Sequence, residues 1–183
     1  MDKTNRKEHF GESETWIGLH PQILQTPYKD ICTALTFLAQ FSPSTIVDLG
    51  AGYGRVGLVS AMLLPGSKFV GLEIIKERCN EANRVFEHFG LTNCIVENKC
   101  LMDKLLEIPK ADVFFIYDFG FIEDIYHVLS KVFAANRQRH FFIVAVGTRI
   151  NSLIGKGSFI DTRCSLSLSD HRFNIFSVST RDR

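Results

Sequence analysis

The chain has 183 residues, is 45 % hydrophobic and 22 % charged, and carries a net charge of +1. That describes one folded domain with a sizeable core, gives no electrostatic case for nucleic acid or an anionic membrane, and leaves no apolar run near the ~20 residues of a membrane helix. Five cysteines, an odd number without a C-x-x-C pair, and six histidines without ligand spacing fit reduced thiols in a cytoplasmic protein better than a disulfide frame or a metal site.

Met1 to about Glu14 is polar, has no signal-peptide core and is expected to be mobile. Thr15 to Leu19 is the first apolar cluster and holds the single tryptophan, Trp16, which either packs an N-terminal helix onto the body or acts as a lid residue. Residues 1–25 therefore read as a polar extension, a lid only on the second of those readings, and 26–183 as the main domain. Thr26-Pro27 offers a capping hydroxyl followed by proline at the first helical position. Ile31, Ala34, Leu35, Leu38 and Ala39 then recur at helical spacing as far as Phe41.

Thr45–Leu49 is a short buried strand. It runs into Asp48-Leu49-Gly50-Ala51-Gly52-Tyr53-Gly54, and Arg55 to Leu64 after it is helical. Strand, glycine turn and helix in that order cradle a nucleotide or a nucleotide-like cofactor, because the turn lets a ligand touch backbone and the helix start presents unpaired N–H groups. Lys68–Glu73 is a second strand and ends on an acid. Glu73 lies 25 residues after Asp48, at the tip of the neighbouring strand, where a carboxylate accepts both ribose hydroxyls in nucleotide folds of this layout.

Lys76 to Phe89 is a helix stopped by Gly90, and Asn93–Glu97 a third strand. Asn98 to Glu107 follows as a short helix or loop. Asp112 to Asp118 is a fourth strand with a polar tip, Phe121 to Asn136 its crossover helix, and Arg139 to Gly147 a fifth strand. Alternating strands and helices predict a parallel, doubly wound α/β sheet. After a short turn or helix near Ile150–Ile154, Ser158–Leu168 and Arg172–Ser179 both read as extended. Ser169-Asp170-His171 joins them over a hairpin-length connection. The last strand is expected to insert beside the fifth, giving a mostly parallel seven-stranded Rossmann-like sheet with an antiparallel C-terminal hairpin.

The Asp-x-Gly-x-Gly-x-Gly spacing at Asp48–Gly54, the acid Glu73, the polar tip of the fourth strand and the antiparallel tail together resemble the class I S-adenosylmethionine-dependent methyltransferases over roughly residues 26–180. Within that family Thr26-Pro27-Tyr28 ahead of the first helix, with Asp48 to Gly57, is similar to the seven-stranded protein-lysine methyltransferases, whose glycine loop commonly reads Asp-Leu-Gly-x-Gly-Asp-Gly-Arg: Arg55 is kept, although Tyr53 stands where those enzymes carry the second acid. The resemblance implies S-adenosylmethionine as cofactor. Gly50, Gly52 and Gly54 would border its methionine and ribose parts. Asp48 would orient the loop or meet the cofactor amine through water, Glu73 would hold the ribose, and Ile74 would pack on the adenine. Asn98 or Asp103, just past the third strand, would face the adenine edge.

Tyr117 and Asp118, at the end of the fourth strand, lie where the methyl would project. Asp118 is expected either to accept a hydrogen bond or proton from the acceptor, with Tyr117 lining the channel, or to cap the helix beginning near Phe121. The sequence Tyr117-Asp118-Phe119-Gly120 departs from the Asn/Asp-Pro-Pro-Tyr/Phe turn of the nucleic-acid amino methyltransferases, so a protein or small-molecule acceptor is favoured over nucleic acid. Two other readings stay open. One is a protein that binds the cofactor without transfer. The other is an NAD(P)-dependent oxidoreductase that uses the G-x-G-x-x-G frame from Gly52 to Gly57.

Overall fold

The computed structural model describes residues 6–10, 13–17, 26–155, 162–168 and 173–179. Strands β1 (Arg6–Phe10) and β2 (Ser13–Ile17) pair antiparallel in a two-stranded sheet of their own. The strand at Ser13–Ile17 corrects the reading that puts Trp16 on an N-terminal helix. The connection between β1 and β2, residues 18–25 and the Trp16 side chain lie outside what is described.

Helix α1 spans Tyr28–Ala39, with Pro27 rather than Thr26 at its N-cap and no side-chain cap. The Pro27 carbonyl accepts the N–H groups of Asp30 and Ile31. From there the elements follow the predicted order. They are β3 (Thr45–Leu49), α2 (Arg55–Leu63), β4 (Lys68–Glu73), α3 (Lys76–His88), β5 (Cys94–Asn98), β6 (Val113–Tyr117), α4 (Ile122–Ala135) and β7 (His140–Val146). Helix α5 (Thr148–Gly155), β8 (Thr162–Leu168) and β9 (Phe173–Ser179) complete the described chain. The stretch after Asn98 is turn and loop, not helix. The Ser169–His171 connection lies outside the described residues.

The seven strands of the main sheet run in the order β5-β4-β3-β6-β7-β9-β8. The first five are parallel; β9 lies antiparallel beside β7 and β8 antiparallel beside β9. Strand order reverses between β3 and β6, which opens a crevice at the carboxyl ends of those strands.

Because side chains alternate across a strand, each strand feeds both faces. Val47, Leu49, Phe114, Ile116, Ile143 and Ala145 join the core under α4 and α5. Ile46, Phe69, Val96, Phe115, Val144 and Ile175 join the one under α1, α2 and α3. The edge strand β5 has its outward backbone covered by α3: the Asn83 amide donates to the Val96 carbonyl and accepts the Val96 N–H, both at 2.8 Å. That removes a pairing edge. At the opposite end of the sheet Asp112 Oδ2 accepts the N–H of Ser44 and of Thr45 and the Ser44 hydroxyl, while Oδ1 pairs with Arg139 at 3.0 Å, which fixes where β3 begins.

Gly71 in the middle of β4 is where the glycine turn presses on the sheet. A Cβ there would stand 2.5 Å from the Ala51 Cβ and 3.0 Å from Val96. Gly71→Ala is expected to lower the unfolding free energy by ~1–3 kcal/mol through overpacking, read as a lower urea midpoint at unchanged slope.

Candidate functional site

The alternation of β-strand side chains builds the site. Asp48 shares the face of Ile46, Glu73 that of Phe69, and Tyr117 that of Phe115, so all three meet at the carboxyl ends of β3, β4 and β6 on the side covered by α1, α2 and α3. They line an open cleft together with Gly50, Gly52, Tyr53 and Arg55.

The turn after β3 is laid along the end of β4. The N–H groups of Gly50 and Ala51 both donate to the Leu72 carbonyl, at 2.9 and 3.0 Å. Gly50 has φ +97°, a conformation that favours glycine, and nothing lies within 4 Å of where its Cβ would be, so its backbone is open to a ligand. Gly54 sits behind the turn at the N-cap of α2, also left-handed, with a Cβ position 2.6 Å from the Phe86 ring. Its glycine is thus required by close packing as well as by conformation.

Glu73 is buried and holds two elements at once. Its Oε2 accepts the Gly52 N–H at 2.8 Å and its Oε1 the Ile75 N–H at 3.0 Å, with Arg78 at 3.9 Å. Asp48 is also buried and takes no hydrogen bond from the described residues. Burial first, and the neighbouring Glu73 charge second, push its carboxyl from 3.8 up to about 7.

Two arginines that carried no role in the sequence reading belong to the same cleft. Arg55 lies over the Tyr28 ring at 4.4 Å and donates Nη1 to the Thr26 carbonyl at 3.0 Å. Arg78 stands 5.8 Å from the Tyr53 ring and beside Glu73. Their signal was position: Arg55 directly follows the glycine turn, and Arg78 lies five residues past Glu73, in the first turn of α3.

The other expected residues are placed as follows. Asn98 donates Nδ2 to the carbonyls of Glu73 (3.0 Å) and Ile74 (2.8 Å), pinning the turn between β4 and α3. Asp103 accepts the Leu105 N–H in a local turn. Neither they nor the half-buried Ile74 form the cleft wall.

Tyr117 does line the cleft, whereas Asp118, one residue on, belongs to the opposite face. Its two oxygens accept the N–H groups of Arg149 (3.0 Å) and Ile150 (2.9 Å), with Arg149 Nε at 3.6 Å. Asp118 thus caps α5, not the helix beginning near Phe121. That helix is capped by Asp124, whose Oδ2 accepts the Phe121 N–H at 2.7 Å.

Two outcomes follow from this geometry. A carboxyl with a raised pKa binds its proton more tightly in the folded chain, so the stability it contributes is present below about pH 4 and lost as pH rises through about 7. Asp48→Asn should therefore gain urea resistance relative to the parent as pH is raised from about 5 to about 8. Asp118→Ala should cost ~1–3 kcal/mol of stability by leaving the first turn of α5 unpaired, measured as a shift in the urea midpoint.

No family model matches the sequence. A stretch of 67 residues, 37 % of this chain, is 33 % identical to ribosomal RNA small subunit methyltransferase G of Carboxydothermus hydrogenoformans and spans 28 % of that protein. Among solved structures, the chain is similar to magnesium protoporphyrin IX methyltransferase from Synechocystis PCC 6803 with bound SAM. The TM-score is 0.60 at 16 % identity, covering 84 % of this chain and 79 % of that one. It is also similar to human N-acetylserotonin methyltransferase in complex with SAM, with a TM-score of 0.60 at 12 % identity, covering 87 % and 53 %. By strand order, antiparallel tail and these likenesses, the chain has the fold of the class I S-adenosylmethionine-dependent methyltransferases.

Proposed function

We propose that the protein is an S-adenosylmethionine-dependent methyltransferase. The observation that carries the reading is the buried Glu73 carboxylate beside the open backbone of Gly50. An ionised carboxylate offers about four acceptor positions. Gly52 and Ile75 use two, and the remaining capacity supports a role in accepting the two hydroxyls of a vicinal diol such as a ribose.

The cofactor supplies a methyl group already activated on a sulfonium sulfur. What this chain contributes is holding and alignment. Gly50 and Gly52 give close backbone approach, and Asp48 lies by the same turn. Ile74, just past β4, and either Asn98, which ends β5, or Asp103 beyond it remain the candidates for the adenine side. Tyr117 walls the channel at the end of β6. Asp118 acts on the site as a positioning residue, through its cap on α5. Thr26, which follows the 1–25 extension, lines the cleft, and this supports the lid reading of that extension.

The acceptor has two supported classes. The net charge of +1 and the missing Pro-Pro turn favour a protein or small molecule, lysine included. The match to a ribosomal RNA methyltransferase favours RNA. No described helix is long and apolar enough to cross a membrane, and among the described residues Cys32, Cys79 and Cys94 are free thiols, which supports a cytoplasmic setting.

Parallel calorimetric titrations with S-adenosylmethionine, S-adenosylhomocysteine and NADH test the reading. Micromolar binding of the first two, weakened at least about tenfold in Glu73→Ala by loss of charged hydrogen bonds, is expected. Binding of NADH alone would overturn it. Transfer of labelled methyl groups in extract, fractionated into RNA, protein and small molecules, then identifies the acceptor. Tight binding with no transfer to any fraction would favour a cofactor-binding role without chemistry.

A further inference from the structure

Arg55 carries a feature that the fold does not require. Its Nη1 holds the Thr26 carbonyl and its plane lies on Tyr28, yet its Nε is fully buried and has no hydrogen-bond partner among the described residues. Buried donors without an acceptor are rare, because each forfeits a bond it had with water. Acceptors stand nearby in the same cleft, but none of the described ones takes this donor. Glu73 is committed to Gly52 and Ile75 and faces Arg78. Asp48 is held toward its protonated form by burial and by Glu73, so it is a poor partner for a guanidinium.

In a guanidinium, Nε–H and the adjacent Nη2–H form the two-pronged edge that matches a carboxylate. Thr26 engages the guanidinium through Nη1 and leaves the Nε donor unused. We infer that Arg55 is the anion-reading residue of the cleft, with its Nε edge completed by a carboxylate that arrives with the ligand. This rests on the methyltransferase reading, in which the methionine part of the ligand brings one carboxylate. Nε is covered in this state, so contact requires a small turn of the guanidinium on the Tyr28 face. The Nη1 bond makes a further consequence: the ligand and the chain entering α1 are held by one group, so filling the cleft also tightens the seat of Thr26.

A thermodynamic cycle tests the inference. The parent and Arg55→Met are titrated by calorimetry with S-adenosylhomocysteine and with its decarboxylated analogue, which lacks only the carboxylate. The parent should prefer S-adenosylhomocysteine by about 10- to 100-fold, the range for hydrogen bonds to a charged group. Arg55→Met should bind both compounds within about twofold of each other, as weakly as the parent binds the analogue. Arg55→Lys, which keeps the charge and loses the fork, should retain an intermediate preference, and it serves if the methionine variant does not fold. Equal weakening of both compounds in the variants would overturn the inference and leave Arg55 a structural residue, as would a parent that does not discriminate. If the parent binds neither compound, the methyltransferase reading fails and the inference falls with it.

Discussion

The site depends on one buried carboxylate. Glu73 ends β4, and its two oxygens take a backbone N–H from the glycine turn at Gly52 and another from Ile75 at the start of α3. Hydrogen bonds to a charged group are each worth ~1.5–3 kcal/mol and are shorter and more directional than neutral ones. A charge buried in that way is tolerable only because it is bonded. The arrangement locks two loops from neighbouring βα units to one side chain. It does so without using all of the acceptor capacity, which is what a binding residue needs.

Close packing brings the turn to that carboxylate. Gly71 lets Ala51 rest on β4, and Gly57 leaves room for the Phe69 and Phe86 rings, each 2.7 Å from where its Cβ would stand. These contacts pull α2 down onto the sheet and α3 against α2. The result is a cleft where buried acids, Asp48 and Glu73, lie close to two arginines, Arg55 and Arg78. A mixed lining of this kind suits a ligand carrying both charges better than a uniformly anionic or cationic one. The raised pKa of Asp48 follows first from its burial and then from the Glu73 carboxyl beside it.

The polar tip of β6 shows how one residue of register separates two roles. Tyr117 follows the parity of Phe115 and enters the cleft; Asp118 follows that of Ile116 and turns to α5. A strand side chain cannot serve both faces. That rule was available in the sequence, since Asp112 to Asp118 reads as a strand, but which face holds the cleft was not.

What the sequence determined by itself is the order of the elements from Tyr28 onward, the glycine turn and the acid at the end of β4. Hydrophobic runs, breakers and glycine spacing are local, and local sterics write them directly into the chain. The tertiary structure alone decided partnerships. Asp118 met Arg149 and Ile150, 31 and 32 residues away; Arg55 met the Thr26 carbonyl across 29 residues; Asn98 turned to the carbonyls of Glu73 and Ile74. Hydrogen bonds over such separations form only once helices and strands have docked, and nothing in the spacing of side chains along the chain encodes which backbone group will be left waiting at that point.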